Sequence, residues 1–357
     1  MADKVYCLKV PKEHGERTRS LLIKSRLLDR SHKIIHQDKF LLIPLVEKPS
    51  FALLENFKIP IEIVEREVEL IATKERKPRN LVEALEDKLT PFELVRVPTS
   101  YDVVGDIAIL DIPEELKHAQ ELIAKAVFEV HPNVKVVAKK TGPIFGEFRV
   151  RGAEIIAGES RTITIHKEYG CRYKVDISKV YFSPRLATEH KRVASQVKPG
   201  ETIIDMFAGV GPFSILIAKT MPIEKIYAID KNPDAFELLK ENINLNKVQD
   251  HIIPILGDAK EIVETKLKGQ IDRVIMDLPH AAFEFLNSSI IAIKPVGGII
   301  HYYEIGSEEE EDIFNRAVER ITRKAKELEK KIEIFHKKIV RPYAPHEYQV
   351  VVDFLIR

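Results

Sequence analysis

Asp205, Asp230, Asp258 and Asp277 each stand at or just beyond the end of a short apolar run in the second half of the chain. Four such acids are more than solvation alone explains. In open α/β sheets a ligand sits outside the carboxyl ends of the strands, where side chains of this type accept hydrogen bonds from hydroxyl and amino groups. The first acid opens the loop Asp205-Met-Phe-Ala-Gly-Val-Gly211, whose Gly209 and Gly211 allow a tight turn. The third glycine of the dinucleotide fingerprint is replaced by Ser214, and Pro212 removes a backbone N–H where a pyrophosphate would want a donor. A nicotinamide dinucleotide is therefore disfavoured. A cofactor with two ribose hydroxyls and no phosphate fits better: Asp230, about twenty residues on, accepts both hydroxyl hydrogens, and Asp258 accepts from an adenine amino group.

These residues need a regular scaffold. From about residue 199 strand and helix patterns alternate, predicting a doubly wound, mostly parallel sheet with strands at Thr202–Met206, Lys225–Asp230, Ile252–Leu256, Asp272–Met276 and Gly298–Tyr303. Ser307 is expected to cap a long helix with the acids Glu308 to Asp312 in its first turn. Lys331–Val340 and Tyr348–Ile356 should form an antiparallel pair at the sheet edge, joined by a turn at Pro342 to Pro345. Upstream, residues 1–72 read as a small α/β module with a basic helix over Glu13–Asp29. Residues 73–95 read as a linker headed by the basic run TKERKPRN, with a helix near Leu81–Lys88 inside it. Residues 96–180 read as a middle α+β domain, and 181–357 as the ligand-binding domain.

With 357 residues, 45% hydrophobic and 31% charged, the chain has the length of two or three domains and the composition of a folded protein. Its net charge of +1 gives no global reason to expect an anionic partner. The distribution is uneven, however: residues 1–50 carry 11 Lys or Arg against six acids, and residues 139–174 carry eight against four. Either excess suits RNA phosphate, as well as a solvated face. Cys7 and Cys171 make no disulfide framework and no metal set, and there is neither a signal sequence nor a membrane-length apolar run. A reducing, cytoplasmic location is expected, without a membrane partner. The absence of Trp, the scarcity of Gln and the many Lys, Glu and Arg lean towards a thermophile.

The ordered set of Asp-x-Phe-Ala-Gly-x-Gly, an acid after the second strand, an acid after the third and Asp277-Leu-Pro-His280 after the fourth resembles the S-adenosylmethionine-dependent methyltransferases of the Rossmann-like class. Nucleic-acid amino methyltransferases carry Pro-Pro and an aromatic after the acid or amide of this last motif, and Leu278 and His280 depart from that pattern. The cytosine-carbon enzymes need nucleophilic cysteines in this region, whereas the nearest here is Cys171. Taken with Phe148-Arg-Val-Arg-Gly152, Thr164-Ile-His-Lys-Glu168, Lys179-Val-Tyr-Phe-Ser-Pro-Arg185, Glu189, His301-Tyr-Tyr303 and Tyr343-Ala-Pro345, the chain closely resembles the archaeal tRNA (guanine-37-N1)-methyltransferases. The likeness extends to Cys7-Leu-Lys-Val10 and to Ser100–Asp106, so it covers almost the whole sequence.

That resemblance implies a monomeric enzyme that takes S-adenosylmethionine and a tRNA with guanosine at position 37, just 3′ of the anticodon. It also implies a Rossmann-like methyltransferase domain with a mostly parallel seven-stranded sheet, preceded by two smaller α+β domains, the first checking the outer corner of the tRNA. Guanine N1 keeps its proton at neutral pH, so a base must remove it as the methyl is attacked in line. Glu189 matches the family's proposed base, and burial beside the bound purine is expected to raise its pKa. Arg149 matches the residue that stabilises charge on guanine O6. Asp277 stands where relatives have Asn; ionised, it only accepts, which suits the N1–H or amino group, and it shares candidacy for the base. Tyr181 is expected to position the extruded nucleotide, with Arg149, Arg185 and Pro279 on the same side. His190, Phe207, Gly209, Asp230, Lys231, Asp258, Ala259 and Asp277 are expected on the cofactor side, with no metal. Other readings are wyosine-pathway chemistry at the same tRNA position, by carbon methylation or aminocarboxypropyl transfer, and a tRNA-binding protein without catalysis.

Overall fold

A computed structural model describes residues 2–25, 27–49, 54, 57, 59–69, 77–145 and 150–357, which form two compact units, Met1–Lys77 and Pro78–Arg357. In the first unit β1 (Ala2–Pro11), β2 (Ile35–Gln37), β3 (Phe40–Pro44) and β4 (Glu62–Glu69) make an antiparallel sheet in the order β2-β3-β1-β4. Alternation sends Leu8 and Val10 of β1 to one face, where they pack with Leu22 of the helix Gly15–Lys24 and with Ile43 and Leu45. The helix is shorter than the basic stretch that announced it.

In the second unit β5 (Asp102–Val104), β6 (Ile107–Leu110), β7 (Val136–Phe145) and β8 (Val150–Gly158) form a sheet covered by the helix Gln120–Val130. The linker expected over 73–95 is in part structured. Leu81–Leu85 and Pro91–Leu94 are helices, and Leu81, Ala84 and Leu85 are buried in the same core as Ile123 and Val127. Asn80 caps the first and a Thr90–Glu93 capping box starts the second, signals stronger than the polar composition around them.

A hairpin of β9 (Ile163–Glu168) and β10 (Cys171–Asp176) leads to the large sheet. Its strands are β11 (Thr202–Asp205), β12 (Lys225–Asp230), β13 (Ile252–Leu256), β14 (Arg273–Met276), β15 (Gly298–Ser307), β16 (Ile332–Ala344) and β17 (Glu347–Ile356), in the order β13-β12-β11-β14-β15-β17-β16. The first five are parallel and β17 and β16 are antiparallel at one edge, as the sequence predicted. The period of two divides the core cleanly. Ile203, Ala228, Ile275, Tyr303 and Val351 pack with the helices Pro212–Thr220 and Pro233–Asn246 on one face. Ile204, Ile229, Met276, Tyr302 and Val352 pack with Leu286–Ala292 and Asn315–Glu327 on the other.

Two local expectations fail. Ser307 ends β15 rather than opening a helix, and the helix begins at Asn315. The acids that suggested a helical first turn are engaged elsewhere: Glu308 accepts from Tyr348 and pairs with His346 at 3.0 Å, while Asp312 accepts the N–H of Phe314. The turn between the last strands falls at Pro345–His346, with His346 left-handed at φ +61°, and Pro342 lies inside β16. Proline is tolerated there because β16 is an edge strand.

The β9–β10 hairpin is fixed to the large sheet by two asparagines one helical turn apart. Asn242 accepts the N–H of Lys174 at 2.6 Å and donates to its carbonyl at 3.0 Å, and Asn246 does the same for Arg172 at 2.9 and 2.6 Å. Asn242, fully buried, also donates to the carbonyl of Val210 in the glycine loop. The pair acts as a surrogate strand edge. Asn242→Ala strands several buried backbone groups and should cost about 2–4 kcal/mol, read as a lower urea midpoint with an unchanged slope; a change under about 0.5 kcal/mol would refute this role.

Candidate active site

The strand order reverses between β11 and β14, and at their carboxyl ends lies a cleft of about 610 Å³. It is lined by Phe207, Gly209, Asp230, Lys231, Gly257, Asp258 and Ala259, from the end of β12 and the loops after β11, β12 and β13, and by Tyr181, Arg185, Asp277, Pro279, Arg341, Tyr343 and Gln349, from the segment before β11, the loop after β14 and the last two strands. A more open groove of about 710 Å³ runs along β9, where Arg161 is paired to Asp106 at 2.6 Å and Thr164 donates to the same carboxylate. The cleft is the site with convergent chemistry.

Local geometry explains each position. Gly209 and Gly211 are both left-handed, at φ +54° and +90°, and open space meets the position a Cβ would take on Gly209. Pro212 is the first residue of the next helix, and Ser214 donates to buried Asp205 at 2.7 Å, which is why a hydroxyl stands where a dinucleotide loop has glycine. Asp230 accepts the N–H of Gly209 at 2.7 Å and of Asn232 at 2.8 Å, one on each oxygen. The Lys231 N–H also stabilises this carboxylate, and its remaining acceptor capacity suits a ribose hydroxyl. Asp258 caps a short helix by accepting from the Lys260 N–H. Phe207 meets Phe285 edge to face at 4.8 Å, giving the cleft an apolar wall.

The acids are electrostatically crowded. Burial pushes Asp205 up to about 7, with Asp277 and Asp230 adding and Ser214 opposing. Burial also raises Asp277 to about 6, against His190, Arg341 and the amide of Gln349, with Glu189 adding. Asp230 is raised by burial despite its backbone donors.

Glu189 behaves otherwise. It is fully buried in the helix Ala187–Ala194 and does not line the cleft. Burial favours its neutral form, but Arg192 (2.6 to 3.0 Å), Tyr303 (2.8 Å) and Lys338 (3.1 Å) donate to it and leave its pKa below the usual carboxylate value. The donors outweigh what desolvation takes away, and they set this direction. His190 also stands behind the wall, with Nδ1 2.7 Å from Glu168 and its ring edge-on to Phe213. Arg185 lines the cleft but is engaged by Asp102 at 2.7 Å and Ser100 at 3.1 Å. Arg149 lies outside the described residues. The structure therefore brings Phe207, Gly209, Asp230, Lys231, Asp258, Ala259, Asp277, Pro279, Tyr181 and Arg185 together in one cleft. Arg341 and Gln349 were not anticipated, and only their place beside the Tyr343-Ala-Pro345 motif hinted at them.

Acceptors for a diol and an amine, a glycine turn and a first helix residue lacking an N–H fit an adenosine that carries no phosphate. Fold and cleft together define an S-adenosylmethionine-dependent methyltransferase of the doubly wound class. Residues 164–334 match the TRM5/TYW2 methyltransferase domain, 81–162 the TYW2 N-terminal domain and 7–52 the tRNA methyltransferase 5 N-terminal domain. The tRNA (guanine(37)-N(1))-methyltransferase Trm5b of Pyrococcus abyssi is 45% identical over 353 residues, 98% of either chain. The crystal structure of wild-type Trm5b from P. abyssi superposes with a TM-score of 0.73 at 43% identity over 99% of each chain. The structure of aTrm5 in complex with tRNALeu gives 0.70 at 40%, over 98% of this chain and 99% of that one. The chain belongs to the TRM5/TYW2 methyltransferase family.

The raised pKa of Asp205 has a stability consequence. An acid at about 7 when folded and about 3.9 when unfolded loses stability as pH rises between those values, at about 1.4 kcal/mol per unit, and no further above them. Wild-type stability relative to Asp205→Asn should therefore fall from pH 4.5 to 7 and level off by pH 8, as urea titrations will show. A constant difference would mean that Asp205 is ionised throughout.

Proposed function

We propose that this enzyme methylates N1 of the guanosine at position 37 of tRNA, using S-adenosylmethionine, and acts as a cytoplasmic monomer. The observation that carries the reading is a single cleft that brings together Asp230 and Asp258, acceptors suited to an adenosine, with Tyr181, Asp277 and Pro279, suited to a purine. Similarity along the whole chain to Trm5b supports the same choice of base and atom. Among the described residues no helix is long and apolar enough to cross a membrane.

The cofactor supplies an electrophilic methyl group. Asp230 holds the ribose, Asp258 the adenine amine, and Phe207, Gly209, Lys231 and Ala259 shape the floor. Tyr181, 47% exposed at the cleft mouth, receives a purine that has left the anticodon-loop stack. Asp277 accepts from the purine's N1–C2 edge. Glu189 takes the N1 proton: Lys338, about a third exposed, is its most accessible partner, and entry of the purine replaces that ammonium by the N1–H. Losing a cationic donor raises the carboxylate's basicity at the moment it is needed. Arg149 stabilises the charge that deprotonation leaves on O6. His190 steadies the helix carrying Glu189, next to the cofactor side, and the first unit meets the outer corner of the tRNA.

The decisive measurement is nucleoside mass spectrometry of tRNA after reaction with labelled cofactor. One added methyl on guanosine is expected, and none when position 37 is adenosine; a mass gain of an aminocarboxypropyl group would establish the other chemistry, and no transfer would indicate a binding protein. Glu189→Gln should lower kcat by about 10²–10⁴ with cofactor affinity kept by calorimetry. Activity within about threefold of wild type would remove Glu189 from the base role.

A further inference from the structure

Arg341 takes no part in the reading above, yet its side chain reaches three partners in and beside the cleft. Its Nε donates to Oε1 of Gln349 at 2.8 Å, Nη1 to the hydroxyl of Ser183 at 3.0 Å and Nη2 to the hydroxyl of Tyr181 at 2.6 Å. Gln349 in turn donates through Nε2 to Oδ1 of Asp277 at 2.8 Å. One guanidinium thus holds the hydroxyl of Tyr181 and, through one amide, the carboxylate of Asp277.

The chemistry of the groups fixes the direction of this chain. Arg has donors only, so the Gln349 atom facing it must be the oxygen, and the NH₂ then points to Asp277. A buried amide held at both ends cannot flip, and Gln349 is 1% exposed. Oδ1 of Asp277 is thereby engaged, while the residue lines the cleft. The backbone is shaped for this purpose too. The pairing of β16 with β17 shifts register between Ile339 and Arg341 and again between Pro342 and Ala344, and such bulges re-aim side chains beside active sites.

We propose that Arg341, acting through Gln349, is the positioning residue that orients Asp277 towards the purine edge, and that its direct bond to Tyr181 ties that orientation to the seating of the nucleotide. The proposal rests on the role given to Asp277 above. It predicts that charge alone does not suffice: a lysine at 341 keeps the cation and loses the fork that reaches three acceptors at once. The groups facing Asp277 are Glu189 and His190 from the preceding helix, Asp205 from β11, Tyr303 from β15, Arg341 from β16 and Gln349 from β17.

The test is a double-mutant cycle of Arg341→Lys and Gln349→Met, with Asp277→Asn as reference, in the full-length enzyme on a tRNA with guanosine 37. Each single variant should lower single-turnover kcat by about ten- to a hundredfold while the cofactor Kd stays within about threefold. The double variant should be little worse than either single one, since both break the same chain. In Arg341→Met, which also removes the cation, the pH midpoint assigned to Asp277 should move up, but in Arg341→Lys it should stay. Additive effects, or wild-type kcat in Arg341→Lys, with Asp277→Asn impaired, would overturn the positioning role alone. Wild-type kcat in Asp277→Asn would instead overturn the role of Asp277, and this inference with it. Loss of cofactor binding in both singles would show a merely structural contact.

Discussion

Burying carboxylates beside a sheet is affordable only if each has a donor, and here one guanidinium serves two of them. Arg192 holds Glu189 with Nε and Nη2 and reaches Asp353 with Nη1 at 2.5 Å. Asp353 also accepts from His301 Nδ1 at 2.7 Å, its register partner on β15. Arg273 donates to Nε2 of that histidine at 2.7 Å and pairs with Glu201. Because Arg can only donate, His301 must carry its proton on Nδ1 and remain neutral, in keeping with the direction in which burial moves its pKa. Removing any member would strand a charge in a low-dielectric core, so the network fixes where Glu189 can be.

That constraint separates the two candidate carboxylates. Glu189, surrounded by donors, is held ionised one layer behind the cleft; Asp277, among other acids and with one amide donor, faces it with its pKa raised. Environments that push neighbouring acids apart are the usual means of giving them different tasks. The C-terminal hairpin contributes to both: Lys338 of β16 touches Glu189, while Arg341 and Gln349 reach Asp277. An edge that would otherwise only close the sheet thus becomes part of the site.

Much of this architecture was legible in the residues. Period-two apolar runs located β12 and β13 to the residue, and the acids at strand ends marked the cleft, since strand ends and ligand crevice coincide in a doubly wound sheet. Pro212 and Ser214, read as unsuited to a phosphate site, prove to be the first residue of a helix and the donor to buried Asp205. Where composition stood in for local chemistry the reading slipped. The acids after Ser307 resembled a helical first turn but serve the β15–β17 edge, and of the two capped helices in the expected linker the one near Leu81 was anticipated while Pro91–Leu94 was missed.

The sequence by itself determined the class of fold, the family and the kind of cofactor, because those depend on local periodicity and on residues close together in the chain. The tertiary structure alone decided the partners of the candidate carboxylates and of the side chains around them. Arg192 and Asp353 lie 161 positions apart, Tyr181 and Arg341 160, and Asp277 and Gln349 72. No spacing rule links such pairs. They meet because a right-handed, doubly wound sheet brings its last hairpin back beside β15, and the protonation and orientation of Glu189 and Asp277 follow from that meeting.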